Sequence, residues 1–109
     1  MKRNVKFDLF PQKSDCKPIR ARVSYGGKRV DLRLGYSIEP KKWDNEAMRV
    51  LPGFKNKYKQ SANEINKSIL LCLEQIESIF TRFELLEKRI PEPSELKQAF
   101  DELTGRKAL

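Results

Sequence analysis

The sequence predicts an α+β fold in which a three-stranded antiparallel sheet packs on a long helix that is followed by a short second helix. Two runs of alternating residues flank a glycine pair, a third alternating run precedes them, and apolar residues recur at heptad spacing in the second half. Alternation is typical of strands with one buried face, and steps of three and four residues are typical of an amphipathic helix. A chain of 109 residues has room for one domain with one modest core.

The central predicted element is a β-hairpin. Gly26-Gly27 separates the alternating runs Ile19–Tyr25 and Lys28–Leu34, and glycine adopts the positive φ that two-residue hairpin turns require. With the glycines at the turn, one face of the hairpin is apolar and the other is strongly cationic. The predicted register pairs Tyr25 with Lys28, Ser24 with Arg29, Val23 with Val30, Arg22 with Asp31, Ala21 with Leu32, Arg20 with Arg33 and Ile19 with Leu34.

The cationic face of the hairpin indicates an anionic partner. Arg20 opposite Arg33 costs free energy because the charges are alike, whereas a favourable cross-strand pair contributes only about 0.2 to 1 kcal/mol. An anion lying across the sheet would offset this cost, and Asp31 is expected to orient Arg22. The alternative is a solvated basic face whose arginines only keep a sheet edge from aggregating.

Two further segments are expected to complete the sheet and its surroundings. A first strand is predicted from about Asn4 to Phe10, because apolar residues alternate there before a proline that has no N–H for the ladder. Trp43, with Ile38, is expected to fold back onto the sheet edge as a core anchor. An irregular segment with a turn at Pro52-Gly53 follows. Its basic residues either follow a phosphate backbone or are solvated, and they are Arg49, Lys55, Lys57 and Lys59.

A long helix is predicted to begin at Ser61, where Ser-Ala-Asn-Glu matches a capping box. About 29 residues would make it roughly 43 Å long. Its first half is expected to cover the sheet, and its other apolar positions are expected to meet a second helix or a partner chain. The heptad positions are Ala62, Ile65, Ile69, Cys72, Ile76, Ile79, Phe83, Leu86 and Ile90, and the stripe widens at Leu70, Leu71, Leu73 and Phe80.

Pro91-Glu92-Pro93 is expected to end the long helix, because proline lacks the N–H and clashes with the preceding turn. Ser94 is the expected N-cap of the short helix, which Gly105 ends. The chain thus divides into a basic sheet with a Trp-containing extension, residues 1–60, and a helical part, residues 61–109, leading towards a further domain. The apolar face expected on the short helix consists of Leu96, Ala99, Phe100 and Leu103.

The distribution of charge points to a polyanion. The net charge is +8, but residues 1–60 carry 16 Lys and Arg against 6 Asp and Glu, a net of +10, and residues 61–109 carry 7 against 9, a net of −2. Such asymmetry is typical of proteins that bind nucleic acid or an anionic membrane. A membrane partner is disfavoured because the basic residues lie on predicted strands and loops, not on an amphipathic helix.

Several kinds of chemistry are excluded by composition. The chain has no histidine, which removes imidazole catalysis and the usual nucleophilic triads, and it has no glycine-rich phosphate loop. Cys16 and Cys72 lack metal-ligand spacing and are expected to be free thiols, so we expect no metal and no cofactor. Neither a signal peptide nor a membrane span is recognisable, and the cytoplasm is the expected location.

Four stretches carry a resemblance to a known family. They are Lys17–Arg29, Leu34–Ile38, Pro40–Asp44 and, in the short helix, Ser94–Lys97. With these, the sequence resembles the N-terminal arm-type DNA-binding domain of tyrosine recombinases, the integrases of phages and conjugative transposons, in the version found in Bacteroides-type mobile elements. The resemblance implies a three-stranded sheet that enters the major groove at arm-type sites in double-stranded DNA. It also implies that catalysis belongs to a separate domain, so that this chain is not itself an enzyme and its tyrosines (Tyr25, Tyr36 and Tyr58) are not the nucleophile.

The residue patterns and the resemblance together give a set of expected DNA contacts. Arginine can hydrogen-bond guanine through two N–H groups, which favours the arginines of the hairpin for base contacts. The alternative is a protein-interaction module whose long helix binds further protomers while the basic sheet binds RNA or an acidic protein. The expected base contacts are Arg20, Arg22 and Arg33, the expected contacts near the turn are Ser24, Lys28 and Arg29, and the expected phosphate contacts are Lys2, Arg3 and Lys6.

Overall fold

A computed structural model describes residues 3–105 of the chain and confirms the α+β fold. A three-stranded antiparallel sheet lies against a long helix, and a shorter second helix follows. The five strands are β1 (Arg3–Leu9), β2 (Lys17–Tyr25), β3 (Lys28–Ile38), β4 (Trp43–Asp44) and β5 (Arg49–Val50). The helices are α1 (Ala62–Arg82), which continues as a π-helical turn (Phe83–Glu87), and α2 (Pro93–Thr104), and a 3₁₀ turn (Pro40–Lys42) precedes β4.

The sheet has the strand order β1-β2-β3, and its hairpin turns at Gly26 and Gly27, with φ of 52° and 76°. The predicted register is confirmed from the Tyr25–Lys28 pair to the Arg20–Arg33 pair. The predicted pairing of Ile19 with Leu34 is wrong, because the register shifts between Pro18 and Arg20. A bulge of this kind bends the strand, and β3 continues past it to Ile38.

The core lies between one face of the sheet and α1. Ile19, Ala21 and Val23 of β2 are fully buried, and Phe7 brings β1 into the same cluster. Trp43 is buried in this core, which confirms its expected role as an anchor. It belongs to a second, two-stranded sheet, β4 with β5, in which it pairs with Val50. Residues 45–59 were expected to be irregular, but Arg49–Val50 form the second strand of this small sheet.

One of the two hydrogen bonds that the capping box predicts at the start of α1 is present. The Ser61 hydroxyl accepts a hydrogen bond from the Glu64 amide at 3.2 Å, as the capping box predicts. The Glu64 carboxylate instead accepts from the Tyr36 hydroxyl at 3.4 Å, which ties the first turn of α1 to β3.

The apolar stripe of α1 is buried as far as Phe83, which confirms the heptad positions up to that point. Leu86 is 76% exposed, so the prediction that the stripe continues through this residue is wrong. The physical reason is the π-helical turn, whose wider hydrogen-bonded ring rotates the following side chains away from the core. Lys88, in the left-handed conformation with φ of 57°, then ends the helical path.

The second helix begins at Pro93, one residue before the expected N-cap Ser94. Proline is well suited to the first helical position, because the missing N–H has no intrahelical partner there. The Glu95 carboxylate accepts a hydrogen bond from the Glu92 amide at 2.9 Å, and Glu92 is the N-cap. Three of the four residues expected on the apolar face are buried, but Leu103 is 52% exposed and lines an open groove instead.

Within residues 3–105, neither helix has the length and apolar character that crossing a bilayer requires.

Candidate nucleic-acid interface

The face of the sheet turned away from α1 is built from alternate residues of all three strands. The strand registers align these residues in rows across the sheet, so that nine polar side chains form one surface, which we call the open face. Counted from the hairpin turn, its rows are Asn4, Ser24 and Arg29, then Lys6, Arg22 and Asp31, then Asp8, Arg20 and Arg33.

Asp8 is the central acceptor of the open face. Its carboxylate accepts two hydrogen bonds from Arg20, from Nε at 2.7 Å and from Nη2 at 3.4 Å, and one from Arg22 at 3.4 Å. Asp31 lies 3.7 Å from Arg20 and 3.8 Å from Arg22, in ion pairs that are longer than the Asp8 contacts. The hydrogen bond that Arg20 donates to Asp8 raises the pKa of Arg20 above its ordinary value, so its charge is permanent.

These contacts correct one expectation. Arg20 and Arg33 were expected to repel each other without compensation until an anion binds, but Arg20 is already paired with carboxylates of the same chain. Phe10 contributes as well, since the guanidinium carbons of Arg20 and Arg33 lie 5.3 and 4.7 Å from the centroid of its ring. A ring face attracts cations, so the opposed arginines share one aromatic surface.

The open face remains cationic after this compensation. It carries five basic side chains against two carboxylates, a net charge of +3. Arg29 and Lys6 are exposed near the turn and on β1, while Arg20 and Arg22 are partly buried, with side-chain exposures of 13% and 29%. Arg20 and Arg22 are therefore held by their carboxylate partners and still present N–H donors to solvent.

Arg3 does not join the open face. It lies opposite Tyr25 on the side that packs on α1, where its guanidinium pairs with Glu77 at 2.6 Å and with Glu84 at 3.2 Å. The same group lies 4.5 Å from the centroid of the Phe80 ring. The hydrogen bond to Glu77 raises the pKa of Arg3 above its ordinary value. Arg3 thus links the sheet to the long helix.

Lys28 lies on the same side as Arg3, because it too pairs with Tyr25 across the strands. Its ammonium group contacts the Glu92 carboxylate at 2.8 Å, just before α2. Strand alternation could have predicted both positions. Arg3 lies two residues before Val5 and Lys28 two residues before Val30, so each shares the face of its apolar neighbour that turns towards α1. Lys2, the remaining expected phosphate contact, lies outside the described residues.

The cysteines form no metal site within residues 3–105, where no group of three or more His, Cys, Asp or Glu residues could hold an ion. Both cysteines are buried, and no disulfide joins them. Burial raises the pKa of Cys16 and keeps it protonated.

The chain is similar to a known protein family. The model of the family described as Arm DNA-binding domain matches residues 11–97. No curated protein matches the chain. No solved structure matches it either. The matched segment contains β2, β3, the second sheet, all of α1 and the first turn of α2.

Proposed function

We propose that this chain, which belongs to the arm DNA-binding domain family and is therefore a DNA-binding module, recognises arm-type sites on behalf of a tyrosine recombinase. The DNA is double-stranded, and recognition depends on its sequence. The parent protein then cleaves and rejoins DNA through a separate catalytic domain. Its proposed location is the cytoplasm, where the DNA lies. The role of this chain is to bring that domain to its sites.

The open face enters the major groove in this proposal. The supporting observation is the open face itself, a three-stranded surface with a net charge of +3 whose arginines project from adjacent rows. A major groove about 12 Å wide admits strands and displays a distinct pattern of donors and acceptors for each base pair. A cationic sheet face is complementary to both the bases and the phosphates that border them.

The five basic side chains of the open face, together with Asp8 and Ser24, each have a proposed role. Arg20, Arg22 and Arg33 donate to base edges, because Arg20 and Arg22 lie on the central strand β2 and Arg33 lies opposite Arg20 on β3. The carboxylate of Asp8 restricts the rotamers of two of them before DNA arrives, which lowers the entropy lost on binding. Arg29, with Ser24 beside the turn, and Lys6 on β1 contact phosphates at the rim.

A second candidate function has one specific observation in its favour. The helix α1 leaves three leucines partly uncovered, with exposures of 48% for Leu70, 52% for Leu71 and 37% for Leu73. Exposed leucines on a helix suit association with another protomer. Light scattering measures the mass of the free chain, and competition of duplex RNA against duplex DNA separates this interaction module from a DNA-addressing one. A monomer that prefers DNA supports the first candidate.

Selection from a pool of randomised duplexes tests the main proposal. We expect the chain to enrich a defined sequence and to bind the selected duplex more tightly than a scrambled duplex of equal length and composition. If about six phosphates are neutralised, a plot of log K against log salt has a slope near −5. Equal affinity for the selected and scrambled duplexes, or an affinity that does not change with salt concentration, would contradict the proposal.

A further inference from the structure

A second cationic surface lies outside the open face, on residues 55–59, which we call the lysine loop. Its three lysines, Lys55, Lys57 and Lys59, are all exposed. Within the described part of the chain, none of their ammonium groups forms an ion pair with a carboxylate, in contrast to Arg20 and Arg22 of the open face. The loop is therefore a concentration of uncompensated positive charge.

The backbone of the lysine loop is held in place by one buried polar side chain. Asn56 is 5% exposed, and its Oδ1 accepts hydrogen bonds from the amides of Tyr58 and Gln60, both at 3.0 Å. Its Nδ2 donates to the Ser37 carbonyl at 2.8 Å, which fastens the loop to the end of β3. The Lys42 ammonium group also donates to the Lys55 carbonyl at 2.8 Å. The loop thus presents its lysines from a fixed backbone.

The anchor at Ser37 places the lysine loop at the end of the sheet opposite the Gly26-Gly27 turn. Ser37 follows Arg33 by four residues in β3, a path of about 13 Å at about 3.3 Å per residue. The major groove is about 12 Å wide, so a duplex that seats the open face has phosphates at about this distance from the arginines. The lysine loop and the open face are close enough to contact one duplex.

We propose that the lysine loop binds backbone phosphates of the same duplex beside the groove that the open face enters, an inference that rests on the proposed function. Lysine ammonium groups act as mobile point charges, which suits phosphates and carries no sequence information. Tyr58 is 63% exposed among these lysines, and the Lys57 ammonium lies 5.3 Å from the centroid of its ring. The ring adds an apolar contact surface next to the charges.

The test compares two triple variants of equal charge by fluorescence anisotropy with the selected and the scrambled duplex. The loop variant is Lys55→Gln, Lys57→Gln, Lys59→Gln. The control variant is Lys67→Gln, Arg82→Gln, Lys88→Gln, which removes three exposed basic residues of the long helix and the turn that ends it. Because each neutralised phosphate contributes about 0.9 to the salt slope, we expect the loop variant to have a slope shallower by about 2 to 3 and about tenfold or more weaker binding to both duplexes. The control variant keeps the slope of the unsubstituted chain.

The outcomes separate this inference from the proposed function. Equal slopes for the loop and control variants, with normal binding by the unsubstituted chain, overturn the lysine-loop contact and leave the open face in place. A loop variant that loses affinity for the selected duplex alone overturns it as well, since phosphate contacts act on every sequence. An unsubstituted chain that binds neither duplex overturns both proposals. Thermal unfolding of each variant establishes that the fold is retained.

Discussion

Asp8 lies directly opposite Arg20 in the pairing of β1 with β2, and its Oδ1 accepts a hydrogen bond from the Arg20 Nε at 2.7 Å. The same carboxylate also contacts Arg22, so one acidic residue of the first strand positions two arginines of the second. Both ends of the Asp8–Arg20 pair are largely shielded from water, with side-chain exposures of 13% for the arginine and 18% for the aspartate. Arg20 and Arg22 are therefore oriented by Asp8 in the free chain.

Replacement of Asp8 by asparagine should separate affinity from specificity. The change raises the positive charge of the open face, so binding to scrambled duplex DNA should tighten. It also removes the acceptor that orients Arg20 and Arg22, so the ratio of selected to scrambled affinity should fall. Hydrogen bonds to charged groups contribute about 1.5 to 3 kcal/mol, and the free energy of unfolding in urea should fall by about that amount.

The matched control is Asp31→Asn, on the neighbouring strand. Its carboxylate is 39% exposed and lies 3.7 and 3.8 Å from the same two arginines. An exposed ion pair contributes only about 0 to 1 kcal/mol, so this variant should lose less stability and keep more of its specificity. Identical effects of the two variants would show that Asp8 has no special positioning role.

Arg22→Ala should lower the affinity for the selected duplex by about 1 to 3 kcal/mol and relax the preference at one base pair. Lys6 is a matched comparison, since it lies opposite Arg22 in the same row of the open face. Lys6→Ala should weaken the selected and scrambled duplexes equally, because a phosphate contact carries no sequence information. Anisotropy titrations with both duplexes, and with single-base-pair variants, measure these effects. Equal losses on both duplexes for Arg22→Ala would refute a base contact.

The hairpin was predictable because its determinants are local. Gly26-Gly27 specifies the turn, and once the turn is placed the alternation assigns each residue of both strands to a face. The register is accordingly correct as far as Arg20 and fails only beyond it, where a bulge shifts the pairing. The π-helical turn after Arg82 was not predicted, because the sequence there continues the heptad pattern of an ordinary α-helix.

The role of Asp8 as the central acceptor of the open face could not be predicted from local sequence. The connection from β1 to β2 is a polar loop with no turn signature, so the sequence does not say whether Lys6 or Asp8 lies opposite Arg20. The alternation of β1 could have placed Arg3 on the face that packs on α1. Its positive charge and its place near the basic amino terminus favoured a phosphate contact instead. The structure gives it two glutamate partners, Glu77 on α1 and Glu84 in the π-helical turn.

Arg3→Gln tests which of these two roles is correct. Its partners Glu77 and Glu84 are about half exposed, so the loss of both ion pairs should lower the free energy of unfolding by only about 1 kcal/mol. DNA affinity and the salt slope should stay unchanged, because the guanidinium is on the side of the sheet that faces α1. Urea unfolding and anisotropy on the same preparation measure both. A shallower salt slope without a loss of stability would return Arg3 to the DNA contacts.

The carboxylate of Glu95 at the start of α2 accepts two hydrogen bonds from Arg89, both at 2.7 Å. This contact, together with the hydrogen bond from the Glu92 amide, lowers the pKa of Glu95 from its ordinary 4.5 to about 2. A carboxylate with a lowered folded-state pKa stabilises the fold fully above its unfolded-state pKa, and this contribution is lost as the pH falls towards the folded-state value. The pH range over which this contribution to stability is lost therefore runs from about 4.5 down to about 2.

Glu95→Gln should consequently be less stable than the unsubstituted chain at about pH 6, and the difference should shrink as the pH approaches about 2.5. The glutamine keeps the size of the side chain but lacks the charge that attracts Arg89. Urea unfolding at a series of pH values measures the difference, and Glu74→Gln, at an exposed position of α1, controls for the loss of one carboxylate. A constant difference across the whole pH range would mean that the Arg89–Glu95 pair makes no net contribution through its charge, and that the substitution acts through helix capping alone.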